Sequence, residues 1–217
     1  MTDFNERRRI MVDSQIRPSD VTKFPIIQAM LDIPREAFVP VHKREIAYIG
    51  DHLPIGKDRF ILDPRIMAKM LDSLNIRKNE LVLDVGSGLG YSCAIIAAMA
   101  EVVVALEEVE QFVKEAEETL FQHSVDNVIT VHGSLTEGYK KYGPFDVIIC
   151  QGAVEILPDA LHNQLKEGGR IGMIKVTDTG KRCMIGFKES GLINWVTAFD
   201  AEAPVLKGFE KEIEFEF

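Results

Sequence analysis

Residues 82–91 read VLDVGSGLGY, an aliphatic run that opens into Asp84, Gly86, Ser87, Gly88 and Gly90. Leu81 to Val85 carry the β-branched and aliphatic side chains of a strand buried on both faces, as in a parallel sheet. The glycines permit a sharp turn and let backbone N–H groups approach a ligand with no Cβ in the way. From Tyr91 the pattern becomes helical, with Ala94, Ile95, Ala97, Ala98 and Met99 offering small and aliphatic side chains to a sheet. Strand, glycine turn and helix in that order predict a nucleotide-type pocket at the carboxyl end of a first parallel strand.

Glycine pairs also occur in ordinary turns, so the reading needs a companion residue. About 20 residues on, Glu107 closes a second apolar run, Val102 to Leu106. A carboxylate there can accept hydrogen bonds from both hydroxyls of a ribose. A dinucleotide site wants G-x-G-x-x-G, so that a pyrophosphate rests on the helix N-terminus. Here Tyr91 stands where the last glycine belongs, and Gly90 comes one residue early. The D-x-G-x-G-x-G form headed by Asp84 instead resembles the first motif of S-adenosylmethionine-dependent methyltransferases. That cofactor has a ribose and an adenine but no phosphate, and Asp84 would lie near its amino-acid end. NAD is the weaker alternative.

The chain has 217 residues, 46% of them hydrophobic, which suits one globular unit with a small appendage. A net charge of −9 argues against a general affinity for nucleic acid. The basic cluster Arg7 to Arg9 follows Asp3 and Glu6 and reads as the solvated face of a helix. No apolar run reaches the roughly 18 residues of a membrane span, and MTDFNERRRIMVD lacks a signal-peptide core. Cys93, Cys150 and Cys183 show no C-x-x-C spacing. His42, His52, His123, His132 and His162 show no i, i+4 pairing. The expectation is a reduced, cytoplasmic protein with neither disulfide framework nor metal.

Two helices are predicted over 4–15 and 20–31, ending before Pro34, which biases the preceding residue away from helix. A loop-rich stretch follows to about residue 62, then a helix over 64–74 with Pro64 in its first turn. Beyond residue 80 the pattern alternates: strand 81–85, helix 90–100, strand 102–107, helix 109–123, strands 128–132 and 145–150, helix 158–165, strand 170–176. This predicts an α/β fold, a doubly wound and mostly parallel sheet. A hairpin over 182–199, turning near Glu189-Ser190-Gly191, would add antiparallel strands. Residues 1–75 would then form a helical N-terminal cap with a substrate loop, packed on a domain of residues 76–217. In the tail, Glu210 to Phe217, Ile213, Phe215 and Phe217 alternate with charged residues, as in a half-buried edge strand or a contact with a second subunit. Monomer and homodimer both stay open.

Two later segments fit the same pocket. His132-Gly133-Ser134 closes the third strand, where Ser134 could make one hydrogen bond near an adenine. Pro144-Phe145-Asp146 opens the fourth, which runs to Gln151 at its carboxyl end, where ligands of open parallel sheets sit. Singly, each polar residue reads equally well as an ordinary strand end.

Several separated segments resemble one family, the protein-L-isoaspartate O-methyltransferases. IPREAFVP (33–40) and LPIG (53–56) are similar to its more specific signatures; the glycine motif, Glu107, HGS (132–134), PFDVIIC (144–150), LKEGGRIG (165–172) and PVLKG (204–208) follow in order. The resemblance implies S-adenosylmethionine as cofactor, a Rossmann-like fold, and methylation of isoaspartyl carboxylates in a protein or peptide as a repair reaction. It departs after LPIG. The family's Gly-Gln-Thr-Ile-Ser-type loop presents a serine to the substrate, whereas this chain reads KDRFILDP (57–64). Phe60 stands for the threonine and Leu62 for the serine, with Asp63 following; Ser134 replaces an Asp.

Methyl transfer from a sulfonium to an ionised carboxylate needs positioning and exclusion of water but no general base. Losing one orienting hydroxyl would cost about 10²–10³-fold, by analogy with oxyanion-hole donors. Asp63 and Asp58 would repel an anionic acceptor, with Arg59 offsetting one of them. A hydroxyl or amine acceptor, in a protein or a small molecule, would instead use Asp63 or Asp58 as base, with Phe60 and Leu62 lining an apolar site. The third reading is a cofactor-binding protein without catalysis.

Overall fold

The computed structural model describes residues 3–56 and 58–211. Its centre is a seven-stranded sheet built from β3 (Leu81–Val85), β4 (Val102–Glu107), β5 (Val128–His132), β6 (Phe145–Val154), β7 (Leu165–Thr177), β8 (Gly180–Glu189) and β9 (Leu192–Asp200). The order across the sheet is β5-β4-β3-β6-β7-β8-β9. The five strands from β5 to β7 pair in parallel, and β8 and β9 add antiparallel pairs. The chain winds outward from β3 to β5 and then returns to β6 on the other side of β3. This reversal opens a crevice beyond the carboxyl ends of β3 and β6, the place where open α/β sheets bind ligands.

Period-two alternation distributes the strands' side chains to two cores. Val82, Val103, Val147 and Ile149 join one cluster with Ile95 and Ile96 of α4 (Tyr91–Ala97). Leu83, Val104, Leu106 and Ile148 join the other, with Leu206 and Phe209 from the C-terminal segment. The first cluster continues into α1 (Phe4–Met11), α2 (Phe24–Asp32) and α3 (Pro64–Leu74) through Met11, Met30 and Met67. The remaining helices are α5 (Glu110–Gln122) and α6 (Asp159–Gln164).

The doubly wound sheet is as expected, with corrections at its margins. The helix predicted over 4–15 ends at Met11 and continues as a π turn, Val12–Ile16. The second helix starts at Phe24, where Pro25 occupies the first turn. The stretch read as loop holds 3₁₀ turns at Arg35–Phe38 and Val41–Ile46 and an antiparallel hairpin, β1 (Leu53–Gly56) with β2 (Arg59–Ile61). β6 runs to Val154 because Ala153 and Val154 pair with Ile174 and Lys175 after a register shift. On its other side Ala153 exchanges hydrogen bonds with the PVLKG segment, donating to Pro204 O and accepting from Leu206 N, both at 2.9 Å. The β8–β9 hairpin turns through Ser190 and Gly191, both at positive φ as a two-residue hairpin turn requires. The expectation for the tail falls on residues of which only Glu210 and Lys211 are described. No helix among the described residues is long and apolar enough to cross a membrane.

Candidate active site

The turn after β3 is tied to the neighbouring strand. Gly86 N and Ser87 N both donate to Leu106 O, at 2.9 and 3.2 Å. Gly88 has φ of +56°, and a Cβ there would lie 2.8 Å from Ile55 Cδ1 of β1, so the hairpin sits directly on the turn. Gly90, φ +96°, opens α4 and leaves room for Ala116 of α5, 3.1 Å from where its Cβ would be. Glycine is required at these two positions by conformation and by space together.

Asp84 is completely buried at the base of this turn. Its Oδ2 accepts from Ser92 Oγ at 2.5 Å and its Oδ1 from Gln151 Nε2 at 2.6 Å. Burial pushes its carboxyl up to about 6, the two hydrogen bonds opposing the shift. Two of the predicted pocket residues are therefore brought together, across the switch point between β3 and β6.

Glu107 ends β4 with its carboxylate aimed back at the glycine turn. Its Oε1 accepts from Glu108 N at 2.8 Å and Val109 N at 3.0 Å, and its Oε2 from Gly88 N at 3.0 Å. Its cationic partner was missed by sequence reasoning. Arg59 Nε reaches Oε1 at 2.9 Å and Oε2 at 3.2 Å, and both side chains are buried, 2% and 1% exposed. Arg59 Nη2 also lies 3.3 Å from the Glu108 carboxylate, which is 44% exposed. A cleft of about 670 Å³ opens beside the pair, lined by Asp58, Arg59, Glu108, Val109, His132 and Lys207 among others. Gly133 N donates to Glu107 O at 3.1 Å, and Ser134 is exposed with its Oγ 3.0 Å from Thr136 Oγ1.

The loop expected to border the acceptor packs inward. Phe60 meets the His52 ring edge-on at 5.6 Å and lies 3.1 Å from where a Cβ on Gly152 would be. Leu62 is 1% exposed within the core. Asp63 is engaged by the helix that follows: its Oδ1 caps α3, accepting from Arg65 N at 2.7 Å and Ile66 N at 3.2 Å. An Asp before a first-turn Pro is a helix-start signal in sequence, and capping accounts for it. A second missed residue is Arg35 of the IPREAFVP segment, fully buried beneath this loop with its guanidinium 4.7 Å over the Tyr91 ring. Among the described residues no group of three His, Cys, Asp or Glu could hold a metal ion.

Comparison with known proteins adds to this geometry. The sequence model of the family described as Protein-L-isoaspartate(D-aspartate) O-methyltransferase matches residues 6–194. A protein-L-isoaspartate O-methyltransferase from Methanoculleus marisnigri is 37% identical over 164 residues, 76% of this chain and 74% of the relative. Two solved structures share the fold over 95% of this chain. One, a protein-L-isoaspartate O-methyltransferase, gives a TM-score of 0.79 at 23% identity, and this chain covers 66% of it. The other, from Plasmodium falciparum and described as a beta-aspartate methyltransferase in complex with S-adenosyl-L-homocysteine, gives 0.78 at 22% identity over 99% of its length.

Proposed function

This chain belongs to the protein-L-isoaspartate(D-aspartate) O-methyltransferase family, and from that premise we propose that it methylates the free carboxylate of isoaspartyl residues in proteins or peptides, using S-adenosylmethionine. The observation that carries the reading is the Glu107 carboxylate, held by three backbone amides beside the glycine turn at the switch point of the sheet. The donor set fits the cofactor. Glu107 ends β4 beside the glycine turn, where its carboxylate would accept from a ribose hydroxyl, and the adjoining cleft offers Val109, His132 and Lys207 to the adenine. Gly86, Ser87, Gly88 and Gly90 bring backbone to the amino-acid end, with Asp84 bonded to Gln151 and Ser92 at the base of the turn. Gly133 and Ser134 close the adenine side. S-adenosylmethionine supplies an electrophilic methyl group on a sulfonium.

The chain's own task is then to orient an ionised carboxylate and keep water out. Phe60 and Leu62 suit exclusion of water, being buried and apolar. Asp63 as a general base has no support here, because its Oδ1 is bound to two amides of α3. Residues 1–75 as a cap packed on a domain of 76–217 is a reading supported by one shared cluster, in which Met11, Met30 and Met67 join Val82, Ile149 and Ala203. Three free, buried cysteines suit a cytoplasmic protein.

Transfer of labelled methyl from S-adenosylmethionine to an isoaspartyl peptide and to its aspartyl counterpart tests the reading. Label on the isoaspartyl peptide alone is expected. Label on neither, with S-adenosylhomocysteine still bound, would remove it.

A further inference from the structure

The carboxylate assigned to the cofactor's ribose is already taken by the chain itself. A carboxylate offers roughly four acceptor positions. In Glu107, three go to the amides of Gly88, Glu108 and Val109, and Arg59 Nε lies across both oxygens. The three amides leave about one position for a ribose hydroxyl, on the side that the guanidinium covers, so ribose and guanidinium cannot share this group. The backbone amides belong to the turn and to the start of the segment before α5, and they cannot leave without unravelling it. Arg59 can leave.

The element that carries Arg59 is small and lies outside the main sheet. β1 and β2 form a two-stranded sheet of four and three residues, separate from the main sheet. A lone two-stranded hairpin is marginal in water. This one is held down by Ile55 against Gly88, Phe60 against Gly152 and Arg59 on Glu107. Beside Glu107 stands a second carboxylate, Glu108, half-exposed and already 3.3 Å from Arg59 Nη2. A guanidinium released from Glu107 has that partner to retain, so displacement exchanges one ion pair for another and strands no buried cation.

We propose that Arg59 is an internal competitor for the cofactor's ribose: it occupies Glu107 in the cofactor-free chain, shifts to Glu108 when cofactor binds, and thereby sets cofactor affinity. This rests on the cofactor reading above.

The test measures S-adenosylhomocysteine binding by calorimetry to the intact chain and to Arg59→Gln, which keeps a polar side chain but loses the charge. At least tenfold tighter binding to Arg59→Gln is expected. Equal or weaker binding overturns the proposal and leaves the cofactor reading standing; absence of binding to both chains overturns the two together. A second readout uses the unaltered chain and so does not depend on how the variant folds. The Arg59 Nε–H resonance should shift or vanish on saturation with S-adenosylhomocysteine. That of Arg35, bound to Ala47 O at 2.7 Å, should stay in place as reference. An Arg59 resonance unmoved by bound ligand also overturns the proposal.

Discussion

The Arg35 guanidinium donates through Nη2 to the carbonyl of Leu62 at 2.9 Å, joining residues 27 apart in sequence. Its Nε donates to Ala47 O, and its plane covers the Tyr91 ring at the start of α4. One buried cation thus binds the IPREAFVP segment, the altered loop and the helix that follows the glycine turn. Burial alone pulls an arginine's pKa down, and the Tyr91 phenol opposes that shift. Arg35→Met should leave both carbonyls unpaired and lower unfolding free energy by roughly 2–4 kcal/mol, read by chemical denaturation. Arg35→Lys should recover only part, since one ammonium cannot reproduce the planar fork. Wild-type stability in Arg35→Met would show that the buried guanidinium contributes nothing net.

Asp63 is expected to act on stability and leave the chemistry alone. Asp63→Ala removes the cap of α3 and should cost about 1 kcal/mol, while Asp63→Asn, which can still cap, should cost less. Neither should add or delete a limb in the pH–rate profile of methyl transfer. A fall in kcat of about 10²-fold or more in Asp63→Asn would point to a proton-transfer role instead.

Asp84 makes folding stability depend on pH in a definite direction. Its carboxyl lies near 6 in the folded chain against an ordinary 3.8, so the folded state holds the proton more tightly than the unfolded state does. Stability from this group is therefore present below about pH 4 and is lost as pH rises towards 6. The shift of about two units bounds the loss at about 3 kcal/mol. Asp84→Asn should flatten that part of the curve in urea melts taken from pH 4 to 7. A wild-type curve that rises through the same window faster than that of Asp84→Asn would contradict the assignment.

Gly88 should tolerate alanine poorly for two separable reasons. Its φ of +56° costs a non-glycine residue about 1–2 kcal/mol, and the new methyl would meet Ile55 Cδ1. Ile55→Val deletes that atom, so Gly88→Ala should cost less in the Ile55→Val background than alone. Strict additivity in this double-mutant cycle would mean that only the backbone term operates.

Three of the five parallel strands were legible to the residue: β3, β4 and β5 fall on the runs 81–85, 102–107 and 128–132, whereas β6 runs four residues past its predicted end and β7 begins five residues before its predicted start. Strands buried on both faces must be continuously apolar, and bounding glycines and charged residues mark their ends. The β1–β2 hairpin was not legible. LPIG and RFI are short, and RFI is buried throughout, so no alternation marks it as strand. Asp63 shows a reading that had the signal and gave it another role, since Asp-Pro at a helix start already explains it. Arg59 was legible only as a local offset to Asp58 or Asp63; its pairing with Glu107 gave no signal, because that partner lies 48 residues away on an element whose docking angle no local pattern encodes.

Local pattern by itself therefore determined the sheet, the glycine turn and the acidic residue across from it. These follow from burial, backbone freedom and spacing within a few dozen residues. Only the tertiary structure decided what faces that turn. It places Ile55 on Gly88, Arg59 on Glu107 and Arg35 under Leu62, because a self-paired hairpin takes its position from long-range packing and charge pairing.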